Sequence, residues 1–258
     1  MKDISVVLLC ALLTRCDAGD APQGQAALAN VIDRAIWASE ATSALQKAVG
    51  FQLKASGTAH IDGDSAKSES ASITWLPDRY RAESKLYMRN GVDDGILGIN
   101  GDQVWIRGRA KLSGPYQVMD LLGTRSEEKC KLFLHEITYF PWLLKETNYT
   151  VRYIGDSRIE KKDVVGVEIT MGSEMGKAKL FYDATGLLVQ MDWIMPHPVS
   201  LNKTVVRRYE FSRHQKLNGL VVPKKTVEQV NDGKRMEMTI TEFSVLQKAP
   251  DKRLFERP

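Results

Sequence analysis

From residue 149 onward the sequence changes face at nearly every step. YTVRYIG, VVGVEITM, AKLFYD, LLVQMDWIM, TVVRRYEFSRH, LVVPKKTVEQV and RMEMTITEFSVL are seven candidate strands. Their turns carry Asp-Ala-Thr-Gly, Leu-Asn-Gly and Asn-Asp-Gly. In RMEMTI, Met236, Met238 and Ile240 point one way while Arg235, Glu237 and Thr239 point the other. Closely spaced strands joined by such turns predict an antiparallel meander with one wet face and one apolar face. In LFYDATGLLVQMDWIM the same alternation predicts Leu187, Val189, Met191, Trp193 and Met195 on the apolar face.

The first half continues the pattern. Phe51, Leu53, Ala55, Gly57, Ala59 and Ile61 alternate with polar residues, and SASITWLPDRYRAESKLYM supplies a partner interrupted at Pro77. Ile96–Ile99 and Val104–Ile106 flank Asn100-Gly101-Asp102, and Asn-Gly is a strong hairpin signal. Two segments switch to helical spacing. Gln25 to Gly50 carries Leu28, Val31, Ile32, Ala35 and Ile36, continued by Leu45, Ala48 and Val49. SEEKCKLFLHEITYFPWLLKE begins at a capping Ser126, buries Cys130, Phe133, Leu134, Ile137 and Phe140, and should end or kink at Pro141. Both stripes need a partner, and the concave apolar face of the sheet is the only large one. The expected fold is therefore mainly β with helices (α+β), a large curved antiparallel sheet with helices on its concave face. Neither a linker nor a repeat divides it, so residues 22–258 read as one domain.

The N-terminus, MKDISVVLLCALLTRCDAGDAPQ, has a basic start, an apolar run from Ile4 to Leu13 and small residues after it. That is the pattern of a signal peptide over residues 1–21, with cleavage near Ala18 or Ala21, and the run is too short to span a bilayer. Leu13-Thr14-Arg15-Cys16 loosely resembles a lipobox, with Arg15 where a small residue is expected, so anchoring through Cys16 ranks below free export. Beyond the leader only Cys130 remains, which leaves no internal disulfide and puts stability on the core. The formal charge of +4 is spread among acids. That makes no nucleic-acid stripe, although it allows contact with an anionic membrane surface.

Catalytic patterns are missing. His60, His135, His197 and His214 have no partners at metal-ligand spacing, and there is no HExxH, GxSxG, P-loop or GxGxxG. Asp62-Gly63-Asp64 and Asp93-Asp94-Gly95 lack the remaining ligands of a calcium loop and read as turns. No enzyme, metal or cofactor is expected. The apolar bulk on one sheet face remains. It packs a core or surrounds a greasy cavity, and Trp75, Trp105, Phe140, Trp142, Trp193 and Met195 are the candidates for lining or gating such a pocket. A 16-carbon acyl chain buried there would gain on the order of 10 kcal/mol before association costs.

Several stretches resemble the periplasmic lipoprotein-carrier (LolA-like) superfamily, which includes outer-membrane lipoprotein-sorting proteins. They are Ile73-Thr74-Trp75-Leu76-Pro77-Asp78-Arg79-Tyr80-Arg81, Leu180-Phe181-Tyr182-Asp183 with Thr185-Gly186-Leu187-Leu188-Val189, and Leu217-Asn218-Gly219-Leu220-Val221-Val222-Pro223. Asp251, Leu254-Phe255 and Pro258 complete the pattern. The resemblance implies an unclosed half-barrel with a helical lid. It also implies a protein of the periplasm of a diderm bacterium that binds acyl chains of lipid or lipoprotein. An envelope sensor or scaffold that binds a protein partner is the alternative, and an unrecognised envelope hydrolase is the third.

Overall fold

The computed structural model describes residues 21–43, 45–61, 63–109, 116–120, 125–173, 175–197 and 203–258. The expected leader lies outside them except for Ala21, and so does Cys16. Among the described residues two α-helices, α1 (Ala21–Ala38) and α2 (Arg125–Tyr139), accompany the strands. Before α2 come β1 (Gly50–Ile61), β2 (Asp64–Trp75), β3 (Arg79–Met88), β4 (Gly91–Asn100), β5 (Gln103–Arg109) and β6 (Tyr116–Asp120). After it come β7 (Thr150–Ile159), β8 (Lys162–Thr170), β9 (Lys177–Asp183), β10 (Leu188–Pro196) and β11 (Thr204–Ser212). The chain closes with β12 (Gln215–Leu217), β13 (Leu220–Val222), β14 (Lys225–Val230) and β15 (Gly233–Leu246).

Among the described residues thirteen strands form one antiparallel sheet in the order β6-β5-β4-β3-β2-β1-β15-β14-β11-β10-β9-β8-β7. The sheet does not close: β6 and β7 are its two edges. It is a curved half-barrel, as the alternation and the resemblance predict. The long-range step is β1 with β15, where Gly57 faces Met238 and Ala59 faces Met236. It joins the two halves of the meander into one surface.

The cross-strand ladder assigns the faces. Phe51, Thr74 and Tyr80 stand opposite one another across β1, β2 and β3. Met191 faces Tyr209, and Trp193 faces Ala178 and Arg207. These residues share the concave face, which α1 and α2 cover. One core joins Val31, Ile32 and Ala35 of α1 to Cys130, Leu134 and Ile137 of α2 and to β8–β11. A second gathers Phe51, Phe140, Trp142, Leu220, Ile240 and Phe243. A third, small one packs Leu132 on Ile99 and Val104. The helix α2 therefore touches both halves of the half-barrel.

Four local expectations change. The first helix stops at Ala38, not Gly50. Glu40 adopts a left-handed conformation (φ 54°), and the Ser39 hydroxyl donates to the Ile36 carbonyl at 2.7 Å, so backbone and side chain both end the helix there. Gly50 opens β1, where any Cβ would strike the Thr74 carbonyl. In β10 a bulge between Leu188 and Gln190 breaks the simple parity. Met191, Trp193 and Met195 are buried as expected, but Leu188 joins them in place of Leu187 and Val189. Pro223, without an amide to donate, separates β13 from β14, and Asp93-Asp94-Gly95 lies inside β4 rather than in a turn.

Candidate hydrophobic binding site

Most of the circumference of α2 is buried, yet Glu128, Lys131, His135 and Thr138 form a polar stripe at helical spacing along it. On a solvent-facing helix such a stripe would meet water. Here it roofs a cavity of about 280 Å³ between α2 and the concave face. Tyr80, Leu97 and Ile99 form one wall from β3 and β4, and Met191, Trp193, Tyr209 and Phe211 form the other from β10 and β11. Thr226 of β14 completes it. The volume is at the lower edge of small-ligand pockets. On the scale at which a ~150 Å³ cavity admits benzene, it suits roughly a dozen carbon atoms.

The cavity interior carries little charge. The ring of His135 packs against Phe51, Tyr80 and Tyr139 with centroids 5.3, 5.9 and 5.1 Å away. Burial lowers its pKa to about 4, and its Nδ1 is buried without a hydrogen-bond partner. Burial also raises the Tyr80 hydroxyl to about 12 and pushes Tyr209 up. All three are neutral at physiological pH.

Charge collects at the rim. Lys131 Nζ lies 2.9 Å from Glu127 and 2.5 Å from Glu128. Arg207 lies 3.6 Å from Glu127 and 3.4 Å from Glu228. Glu228 stands opposite Tyr209 in the ladder, two residues along β11 from Arg207, so the network occupies the concave face just beyond the cavity. Lys129 binds Asp102 in the β4–β5 turn at 2.6 Å. The first turns of α2 are thus pinned to both flanks of the sheet.

The six apolar candidates separate in space. Trp193 reaches the cavity wall, with Nε1 donating to the Met175 carbonyl at 2.9 Å. Met195 lies in the first core, while Phe140 and Trp142, stacked 4.5 Å apart, lie in the second. Trp75 and Trp105 stand on the opposite face. The Asn100-Gly101 turn sets a register in which Trp105 faces Gly98, so its indole covers that glycine away from α2. There the C-terminal segment seals it: Phe255 is fully buried against Trp75, and its carbonyl accepts from Trp105 Nε1 at 3.4 Å. Arg79 stacks on Trp75 at 4.2 Å.

Apolar bulk alone misses His135, Tyr209, Phe211 and Thr226. The helical spacing of His135 from Glu128 and Lys131 on α2 marks the first. Strand register with Met191 and Trp193 marks the others.

No protein-family model and no curated protein sequence matches the chain. Solved structures do. A DUF1329 family protein from Desulfovibrio piger superposes with a TM-score of 0.55 at 11% identity, over 88% of this chain and 96% of its own. A LolA superfamily protein from Nitrosomonas europaea gives 0.52 at 12% identity, over 84% and 97%. The chain has a LolA-like fold. A Vibrio parahaemolyticus domain of the outer membrane lipoprotein-sorting type gives 0.53 at 10% identity, over 88% and 97%. The helix-covered concave face of the LolA-like half-barrel is where the cavity lies. Among the described residues no helix is long and apolar enough to cross a membrane, and no cluster of His, Cys, Asp and Glu could hold a metal ion.

Proposed function

We propose that this protein is a non-enzymatic binder of acyl chains, carried by lipid or lipoprotein. It would be exported behind its N-terminal leader as one domain, residues 22–258, and would act in the periplasm of a diderm bacterium. The observation that carries this proposal is the cavity under α2, walled by apolar side chains from both halves of the sheet. Similarity of fold to lipoprotein-sorting and LolA superfamily proteins supports it. In this proposal Trp193 contacts the chain, and Phe140, Trp142 and Met195 hold the surrounding packing. Trp75 and Trp105 brace the sheet from behind.

Native mass spectrometry of protein purified from an envelope fraction without detergent tests it, with organic extraction in parallel. Extractable bound mass of lipid character is the expected result. Protein that carries none, and takes up no added lipid, sinks the proposal. A sensor or scaffold role is the second possibility, in which Trp37 on α1, 79% exposed, would be the large side chain that meets a protein partner. Retention of a protein partner after delipidation, lost on Trp37→Ala, would favour that role.

A further inference from the structure

Acyl ligands differ in the group at the head of the chain, and the rim of the cavity bears on which is accepted. We propose that the cavity selects un-ionised acyl groups, ester- or amide-linked, over free carboxylates, and that Glu127, Glu128 and Glu228 set this preference. This rests on the acyl-binding function proposed above.

Lys131 and Arg207 are the cations at the mouth, and each is already shared between two carboxylates. The carboxylates therefore outnumber these cations by three to two. Two of them are well shielded: the side chains of Glu128 and Glu228 are each only 14% exposed. A fatty-acid carboxylate entering tail-first would come to rest among them. Even at the Arg207 Nε, which is buried without a hydrogen-bond partner, it would share a cation already paired with two carboxylates, and like charges repel more strongly in a partly desolvated site than in water. Arg235 also acts on Tyr209, but it is exposed and screened by solvent. Deeper in, His135, Tyr80, Tyr209 and Thr226 offer hydrogen bonds without charge. An ester or amide carbonyl can accept such a bond and introduces no charge of its own.

The test compares a saturated fatty acid of roughly a dozen carbons with its methyl ester. Displacement of an uncharged fluorescent probe at about pH 8, where the acid is ionised, reads both affinities. The ester should bind roughly tenfold more tightly. Glu128→Gln, which frees Lys131 from one partner, should tighten the acid severalfold relative to the ester and so narrow the gap between them. Glu228→Gln should act alike through Arg207, and Arg235→Gln should not narrow the gap. Equal affinities in the wild-type protein, or a ratio untouched by both glutamate variants, would overturn the preference while leaving acyl binding intact. If neither compound binds, acyl binding itself falls and the preference with it.

Discussion

His135 and Glu136 are consecutive residues of α2 whose proton affinities are driven in opposite senses by the same burial. The histidine borders the cavity and is held neutral, its pKa lowered to about 4. The glutamate is absent from the cavity wall and only 4% exposed. Burial first, and then the nearby charge of Asp78, raises its pKa to about 8. Its Oε1 has no hydrogen-bond partner. Both side chains are thus uncharged at neutral pH, and both make folding depend on pH.

The acid side belongs to His135. In the unfolded chain it binds a proton near pH 6.5, but in the folded protein only near 4. The unfolded state therefore gains protons first, and stability falls as pH drops from about 6.5 towards 4, by at most about 3 kcal/mol. His135→Phe, which keeps a ring against Phe51 and Tyr139, should flatten this limb. Denaturant titrations at several pH values check it, and an unchanged slope in the variant would rule His135 out as its source.

The alkaline side belongs to Glu136. Its carboxyl loses its proton near pH 4.5 when unfolded and near 8 when folded. Its stabilising share is complete below 4.5 and is lost as pH rises through 8, at most about 5 kcal/mol in all. Glu136→Gln mimics the protonated form, so it should raise the thermal midpoint at pH 8–9 and change little near pH 4.5. A variant less stable than wild type at the higher pH would contradict this.

The fold was legible because period-two patterning and turn residues are local signals. Asn100-Gly101 gives the β4–β5 hairpin, and the spacing of Met236, Met238 and Ile240 alone shows that they share a face. The bulge at β10 was not legible, since an inserted residue reverses parity without changing composition. The face on which Trp75 and Trp105 stand is not legible for a related reason. Alternation tells which residues share a face, but both faces of this stretch are apolar, one covered by α2 and the other by Phe255. The cavity itself depends on how far α2 stands from β10 and β11, a distance set by packing between segments remote in sequence.

Gly98 tests the back of the sheet. A Cβ there would fall inside the Trp105 indole. Gly98→Ala should push that ring off its seat, disturb Phe255 above it, and cost about 1–3 kcal/mol as overpacking. Equilibrium unfolding measures the loss, and acyl affinity of the folded protein should be unchanged because neither residue borders the cavity. A variant as stable as wild type would mean that the Trp105–Phe255 contact yields without cost.

Phe140 and Trp193 separate packing from binding. Phe140 is fully buried between Phe51 and Trp142 and is absent from the cavity wall. Phe140→Ala should cost about 3–5 kcal/mol yet leave the affinity of the folded fraction near that of wild type. Trp193 lines the cavity, so Trp193→Phe should enlarge it while costing about 1 kcal/mol through the lost bond to the Met175 carbonyl. Because each buried methylene contributes roughly 0.8 kcal/mol, the enlarged cavity should favour longer chains. Affinities across a series of acyl esters check the pair of variants. A shift in chain-length optimum with Phe140→Ala but not with Trp193→Phe would place the ligand in the second core, beneath Trp142, instead of under the polar stripe of α2.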